Sequence, residues 1–213
     1  MKEFNQYPVN KTLKTYEVDT PEFWNKIYKG KTPAWGYLPA RLLTTFAKYF
    51  PESGTILDIG CGSGRNSLFL GNAGFKVTGV DISQDAINEA MSYNNKNCTF
   101  TCTSLVETWP SGKFDVIIDF GLFHFIPPQY RDTYINNINN SLNTNGVYIN
   151  QSGRLIKESP MGTEDYTPPQ FELTEMVKWF NDFDILELVS DELPKIKTAP
   201  GPYPCWNMVA GKR

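Results

Sequence analysis

Three glycines at alternate positions, Gly60, Gly62 and Gly64, follow an apolar run at 55–59, and Asp81 closes the next apolar run 21 positions after Gly60. A chain that turns so sharply needs residues without a Cβ, and so does a ligand that must lie against backbone. A helix opening at Arg65 would aim its unpaired N–H groups and a partial positive charge at that turn. Such an end suits an anion, either a pyrophosphate or a carboxylate. At the C-terminal end of its strand, Asp81 can accept hydrogen bonds from two ribose hydroxyls. It also suits the N-terminus of the helix that follows, so a purely structural duty is its bland counterpart. The pattern describes a pocket for an adenosine-containing molecule and leaves open whether that molecule is a dinucleotide or a sulfonium.

Two residues separate those readings. The sixth position of the dinucleotide fingerprint calls for Gly or Ala, and here it is Arg65. Asp58 interrupts an apolar strand two residues before Gly60. A carboxylate there can position an ammonium, such as the one on the methionine arm of S-adenosylmethionine, and a dinucleotide has no such group. "LDIGCGSGRNSLFL" followed by "VTGVDIS" resembles the first two motifs of class I S-adenosylmethionine-dependent methyltransferases. The segments "FWNKIYKGKTPAWG", "FDVIIDFGLFHFIPPQYRDTY" and "TPPQFELTEMVKWF" resemble the small-molecule branch with the thiopurine, halide/thiol and tellurite-resistance methyltransferases. The resemblance runs from about residue 21 to 213.

That resemblance implies a doubly wound α/β fold, a seven-stranded, mostly parallel sheet with an antiparallel last strand. It implies S-adenosyl-L-methionine as cofactor and S-adenosyl-L-homocysteine as product. Asp58, Gly60, Cys61, Gly62 and Gly64 would line the cofactor, Asp81 would hold the ribose, and Ile82 would lean on the adenine. Ser104 and Leu105 fall beside the adenine, with serine replacing the family's usual acid and offering a weaker acceptor. Trp35, in the "PAWG" turn, would close over the same pocket.

Methyl transfer from a sulfonium is an in-line displacement with a neutral leaving group. It needs alignment, exclusion of water, and a base only when the nucleophile carries a proton. Asp119 and His124, in "DFGLFHF", are the candidate catalytic residues. Asp119 could bond a substrate amine or the cofactor's methionine part, and His124, the one histidine in the chain, could take a proton near neutral pH. A structural, hydrogen-bonded role is the alternative for each. Phe120, Trp24, Tyr28, Tyr37, Met161, Tyr166 and Tyr203 are candidates for the acceptor pocket, where aromatic faces suit planar or cationic groups. Trp206 belongs to the same aromatic set. Glu158, Glu164 and Asp165 read as a solvated face.

The elements that must position these residues follow from periodicity. A short helix follows a Thr20-Pro21 cap, and an amphipathic helix spans "LPARLLTTFAKYF". Apolar strands then alternate with helices as far as Gly153, which implies a parallel sheet covered on both faces. Two closing strands without a helix between them predict an antiparallel addition at the sheet edge. We expect one domain over 1–213. It comprises a helical cover at 1–50, a cofactor-binding core at 51–153, a substrate lid at 154–171, and a closing helix and hairpin at 172–213.

The chain has 213 residues, 40% hydrophobic, and a net charge of −3 with no basic cluster, which argues against nucleic acid as partner. No apolar run reaches the roughly 20 residues of a membrane span, and the polar N-terminus lacks a signal segment. The four cysteines form no CxxC pair, so reduced thiols, a cytoplasmic setting and no metal are expected. The expected partner is a small-molecule methyl acceptor, of sulfur, nitrogen, oxygen, halide or chalcogenide type, met by a monomer or homodimer. The rival readings are a binding protein that keeps the cofactor fold without chemistry, and a nicotinamide-dependent oxidoreductase. Arg65, Asp58 and the closing hairpin count against the second.

Overall fold

In the computed structural model, residues 20–29, 36–155, 170–193 and 203–213 are described. Seven strands form the sheet: β1 Thr55–Ile59, β2 Lys76–Asp81, β3 Cys98–Cys102, β4 Phe114–Phe120, β5 Leu142–Gly153, β6 Phe183–Leu193 and β7 Tyr203–Lys212. The helices are α1 Pro21–Tyr28, α2 Leu42–Thr45, α3 Arg65–Asn72, α4 Gln84–Ser92, α5 Pro128–Ser141 and α6 Leu173–Trp179. The sheet order is β3-β2-β1-β4-β5-β7-β6. Strands β1 to β5 run parallel, and β7 is antiparallel to both of its neighbours.

The expected class is therefore present. The closing pair of strands extends the sheet beyond β5 as expected, and within that pair the antiparallel last strand, β7, lies inside, between β5 and β6, while β6 takes the edge. Burial explains the order. Met208, Val209 and Ala210 of β7 are wholly buried, as a strand covered on both faces requires. In β6, "FDILELVSDEL" carries acids along its length, which suits an edge exposed to water and discourages further pairing.

Strand alternation divides the core into two layers. On one face Leu57, Ile59, Ile117 and Tyr148 pack with Tyr134 and Ile138 of α5 and with Met176 of α6. On the other, Ile56, Val116, Ile118 and Ile149 pack with Leu42, Leu43 and Phe46 and with Leu70 of α3. This alternation turns Asp58 toward α3.

The amphipathic helix expected at 38–50 is broken. Its helical turn covers only Leu42–Thr45, and a 3-10 turn, Ala47–Tyr49, follows. The hydroxyls of Thr44 and Thr45 both donate back to the Arg41 carbonyl, at 2.8 and 3.2 Å. Such bonds compete with the backbone ladder and weaken a helix interior. The break still leaves Leu42, Leu43 and Phe46 buried.

Candidate functional site

The strand order reverses between β1 and β4, and in open α/β sheets the crevice above such a switch point receives ligands. The glycine turn lies there. Gly60, Gly62 and Gly64 have φ of 73°, 54° and 80°, a region that β-carbon-bearing residues enter only with strain. Three elements close around the turn. A Cβ added to Gly62 would lie 2.5 Å from the Tyr28 hydroxyl of α1, one on Gly60 would meet Leu122 after β4 at 3.0 Å, and one on Gly64 would meet Ala90 of α4 at 3.0 Å. Gly64 precedes α3 without any side-chain cap, so the helix presents its first N–H groups to the crevice.

Asp81 braces this turn. Its Oδ2 accepts from Gly62 N at 2.8 Å and its Oδ1 from Ser83 N at 2.9 Å, leaving each oxygen further acceptor capacity. Burial raises its pKa and the backbone donors oppose that rise. Beneath the turn, Asp58 is buried and accepts from Ser67 Oγ at 2.6 Å. Desolvation pushes its pKa up to about 7, against the pull of Ser67 and Arg65. Arg65 donates to the Leu38 carbonyl at 3.0 Å, at the sixth position, where a dinucleotide turn calls for Gly or Ala. Cys61 contributes backbone only: its N–H donates to Val80 O at 2.9 Å while its thiol is buried. Ile82 and Ser104 are half-buried at the ends of β2 and β3. Leu105 instead joins the core layer that holds Ile59 and Val80.

The two candidate catalytic residues take other duties. Asp119 is fully buried, and all its acceptor positions are filled from within the chain. Its Oδ1 receives Leu122 N and Phe123 N at 2.9 and 3.1 Å, and its Oδ2 receives the hydroxyls of Tyr134 and Tyr148 at 2.8 and 2.7 Å. It holds the turn after β4. His124 lies in a 3-10 turn, Phe123–Phe125, with its ring buried and Nδ1 accepting from Gly153 N at 3.4 Å. With Nδ1 as acceptor, the proton of the neutral ring sits on Nε2. Burial, then the nearby Arg131, lower its pKa to about 3, so the ring is uncharged at neutral pH and is a weak base.

Of the aromatic candidates, Trp24 and Tyr28 reach the crevice. Helix α1 spans it: Asn25 Oδ1 accepts from Ser83 Oγ at 2.8 Å and Asp85 N at 3.2 Å, and Trp24 packs edge-on against Phe125 at 5.1 Å. Phe120 packs against the α3-side core layer, and Tyr37 is 62% exposed rather than part of the wall. Trp35, Met161 and Tyr166 lie outside the described residues, as do most of the expected lid and the side chain of Tyr203. Asn25 and Arg131 were not among the expected site residues, and of the alternating Phe120, Phe123 and Phe125 the sequence favoured Phe120, whereas Phe125 is the one that packs on Trp24. No spacing rule marks Asn25, since its partners lie about 60 residues away. Among the described residues no three His, Cys, Asp or Glu side chains gather as a metal site.

Residues 56–146 match a family model described as a methyltransferase domain. An uncharacterised methyltransferase of Schizosaccharomyces pombe is 36% identical over 83 residues, covering 37% of this chain and 57% of that protein. The probable S-adenosyl-L-methionine-dependent methyltransferase TehB of Haemophilus influenzae is 28% identical over 140 residues, covering 62% of this chain and 46% of TehB. The chain thus spans about half the length of the curated relatives it matches. The crystal structure of that TehB superposes with a TM-score of 0.71 at 21% identity, over 91% of this chain and 67% of the other. The 1,6-didemethyltoxoflavin-N1-methyltransferase of Burkholderia thailandensis gives 0.70 at 18% identity, over 100% and 93%.

Proposed function

The chain carries a methyltransferase domain in a class I fold, and from that premise we propose that it transfers a methyl group from S-adenosylmethionine to a small-molecule acceptor. The observation that carries this reading is the turn of three left-handed glycines braced by Asp81 at the β1/β4 switch, with Asp58 buried beneath it. The cradle fits the cofactor group by group. The uncapped N-terminus of α3 suits a carboxylate, Asp58 suits an ammonium, Asp81 has acceptor capacity left for ribose, and Ile82 and Ser104 flank the adenine position. When bound, S-adenosylmethionine supplies an electrophilic methyl group on a positively charged sulfur.

The chain's own residues then orient and enclose. Asp119, by fixing Leu122 and Phe123, holds the turn after β4 against Gly60, and α1 lays Trp24 and Tyr28 across the opening. Asp119 has its acceptor positions occupied by donors of this chain, and His124 is a weak base. The acceptor that suits this site therefore arrives with its lone pair already free: a thiolate, a halide or chalcogenide ion, or an acidic phenolate. The name of the toxoflavin enzyme, which shares this fold, gives a small molecule as its acceptor. Among the described residues no helix is long and apolar enough to cross a membrane.

The test is release of S-adenosylhomocysteine with thiols, halides, phenols and amines as paired acceptors. Turnover with anionic acceptors, rising with pH through the acceptor's own pKa, supports the reading. Turnover only with protonated amines, or none with any acceptor by a protein that binds the cofactor, counts against it. The latter result would favour a non-catalytic binding protein.

A further inference from the structure

The C-terminal edge of the sheet continues beyond β5 into a small polar corner. Arg154 forms a parallel bridge with Phe171. The Phe171 carbonyl accepts both Leu155 N at 3.0 Å and Trp206 Nε1 at 2.8 Å, so its lone pairs are used. The Arg154 guanidinium lies over the Trp206 ring, with Cζ 5.6 Å from its centroid. Stacking of this kind holds the guanidinium plane while leaving its N–H edge available. Arg154 Nε is buried and meets no acceptor among the described residues, and neither does the buried Nε2 of Gln170. Buried donors without partners are rare, and each asks for a group that the described residues do not supply.

The corner adjoins the reacting end of the crevice. Gly153, next to Arg154, donates to His124 in the turn after β4. On the far side of Phe171, the guanidinium of buried Arg131 lies 4.8 Å from the ring centroid. Two guanidinium groups and a histidine without charge favour an anion and disfavour a cation.

We propose that Arg154 and Gln170, with Trp206 holding the arginine, form a carboxylate-binding subsite that selects acceptor molecules carrying a carboxylate. This deepens the methyltransferase reading and rests on it. The substrate class is then a small carboxylate-bearing nucleophile, its carboxylate held at the β5 edge and its nucleophilic atom directed toward the crevice above β1 and β4. In the transfer, the nucleophile's lone pair forms the bond to the methyl carbon as the carbon–sulfur bond of the sulfonium breaks. S-adenosylhomocysteine leaves neutral, and no oxidant or reductant takes part.

The test begins by loading the protein with S-adenosylhomocysteine, followed by calorimetry. The loaded protein is titrated with matched pairs: 2-mercaptobenzoate against thiophenol, and 3-mercaptopropionate against ethanethiol. In at least one pair the carboxylate member should bind roughly 10- to 100-fold tighter, as charge-assisted bonds to a guanidinium allow. Arg154→Met should abolish that preference and Arg154→Lys should keep part of it, with S-adenosylhomocysteine affinity unchanged in both. Equal binding within both pairs by the wild type would overturn the subsite, as would a preference that survives in Arg154→Met. A carboxylate of this chain closing on Arg154 would produce the first of those results. Failure of the loading step itself would instead overturn the methyltransferase reading.

Discussion

Asp58 and His124 are both buried, yet burial moves their proton equilibria to opposite effect. The folded pKa of Asp58, about 7, lies above the ordinary carboxylate value, so the folded chain binds the extra proton between the two. Its contribution to stability is present at acid pH and is lost as pH rises from roughly 4 to 7. His124 at about 3 lies below its ordinary 6.5, so there the unfolded chain binds the extra proton. Its contribution is full above 6.5 and lost as pH falls toward 3. Urea unfolding across pH 4–7 should separate the two. Asp58→Asn should make stability rise more steeply with pH than in the wild type, and His124→Asn should make it fall. Slopes unchanged in both variants would contradict the assigned proton states. Gly62→Ala tests the cradle: a Cβ there meets the Tyr28 hydroxyl on a strained backbone, so cofactor affinity should drop at least about tenfold. Affinity within twofold of wild type would show that the turn is not the binding surface. At this scale the sequence pointed to the glycines and Asp81 because those residue types recur at a fixed spacing within one strand–turn–helix–strand unit, and to Asp58 because it interrupts an apolar strand. The duties of Asp119 were hidden because Tyr134 and Tyr148 approach it from other elements, 15 and 29 residues along the chain.

Among the elements, α1 and the β4–β5–α5 junction decide how the crevice is closed. Asn25 lends its side-chain oxygen to the first turn of α4, satisfying an N–H that Ser83 alone does not cover. Asn25→Ala should cost about 0.5–2 kcal/mol, in the range of an ordinary cap, and should speed hydrogen exchange in α1 and the first turn of α4. Unchanged exchange in α1 would mean that other contacts hold the helix in place. Tyr148→Phe removes one of four donors from a buried carboxylate and should cost about 1–3 kcal/mol in chemical unfolding. Tyr134→Phe should act on the same carboxylate, so the double variant should depart from additivity. Additive losses would imply that Asp119 does not couple the two tyrosines. The strand–helix alternation was legible because burial on both faces leaves continuous apolar runs. The break after α2 was less so, since two threonines in an amphipathic pattern reveal their back-bonding only once the Arg41 carbonyl is placed.

For the molecule as a whole, topology gathers the site. The crevice exists because β4 departs on the opposite side of β1 from β2, and the corner at Arg154 exists because β7 slips between β5 and β6. The alternation of strands and helices pointed to the first arrangement. A signal for the second was present in the contrast between "CWNMVAG" and the acid-bearing "FDILELVSDEL", since a central strand is apolar on both faces and an edge strand is not. The corner itself was beyond reach, because Arg154 and Trp206, about 50 residues apart in the chain, come together only through that insertion. The central claim is that this crevice holds S-adenosylmethionine and not a dinucleotide. Calorimetric titration of the wild type and Asp81→Asn with S-adenosylmethionine, S-adenosylhomocysteine and NAD addresses it directly. The account predicts saturable binding of the first two, no binding of NAD, and at least about a tenfold loss in the variant, as removal of a charged ribose acceptor requires. Binding of NAD in preference, or no binding of either sulfur compound, would contradict it.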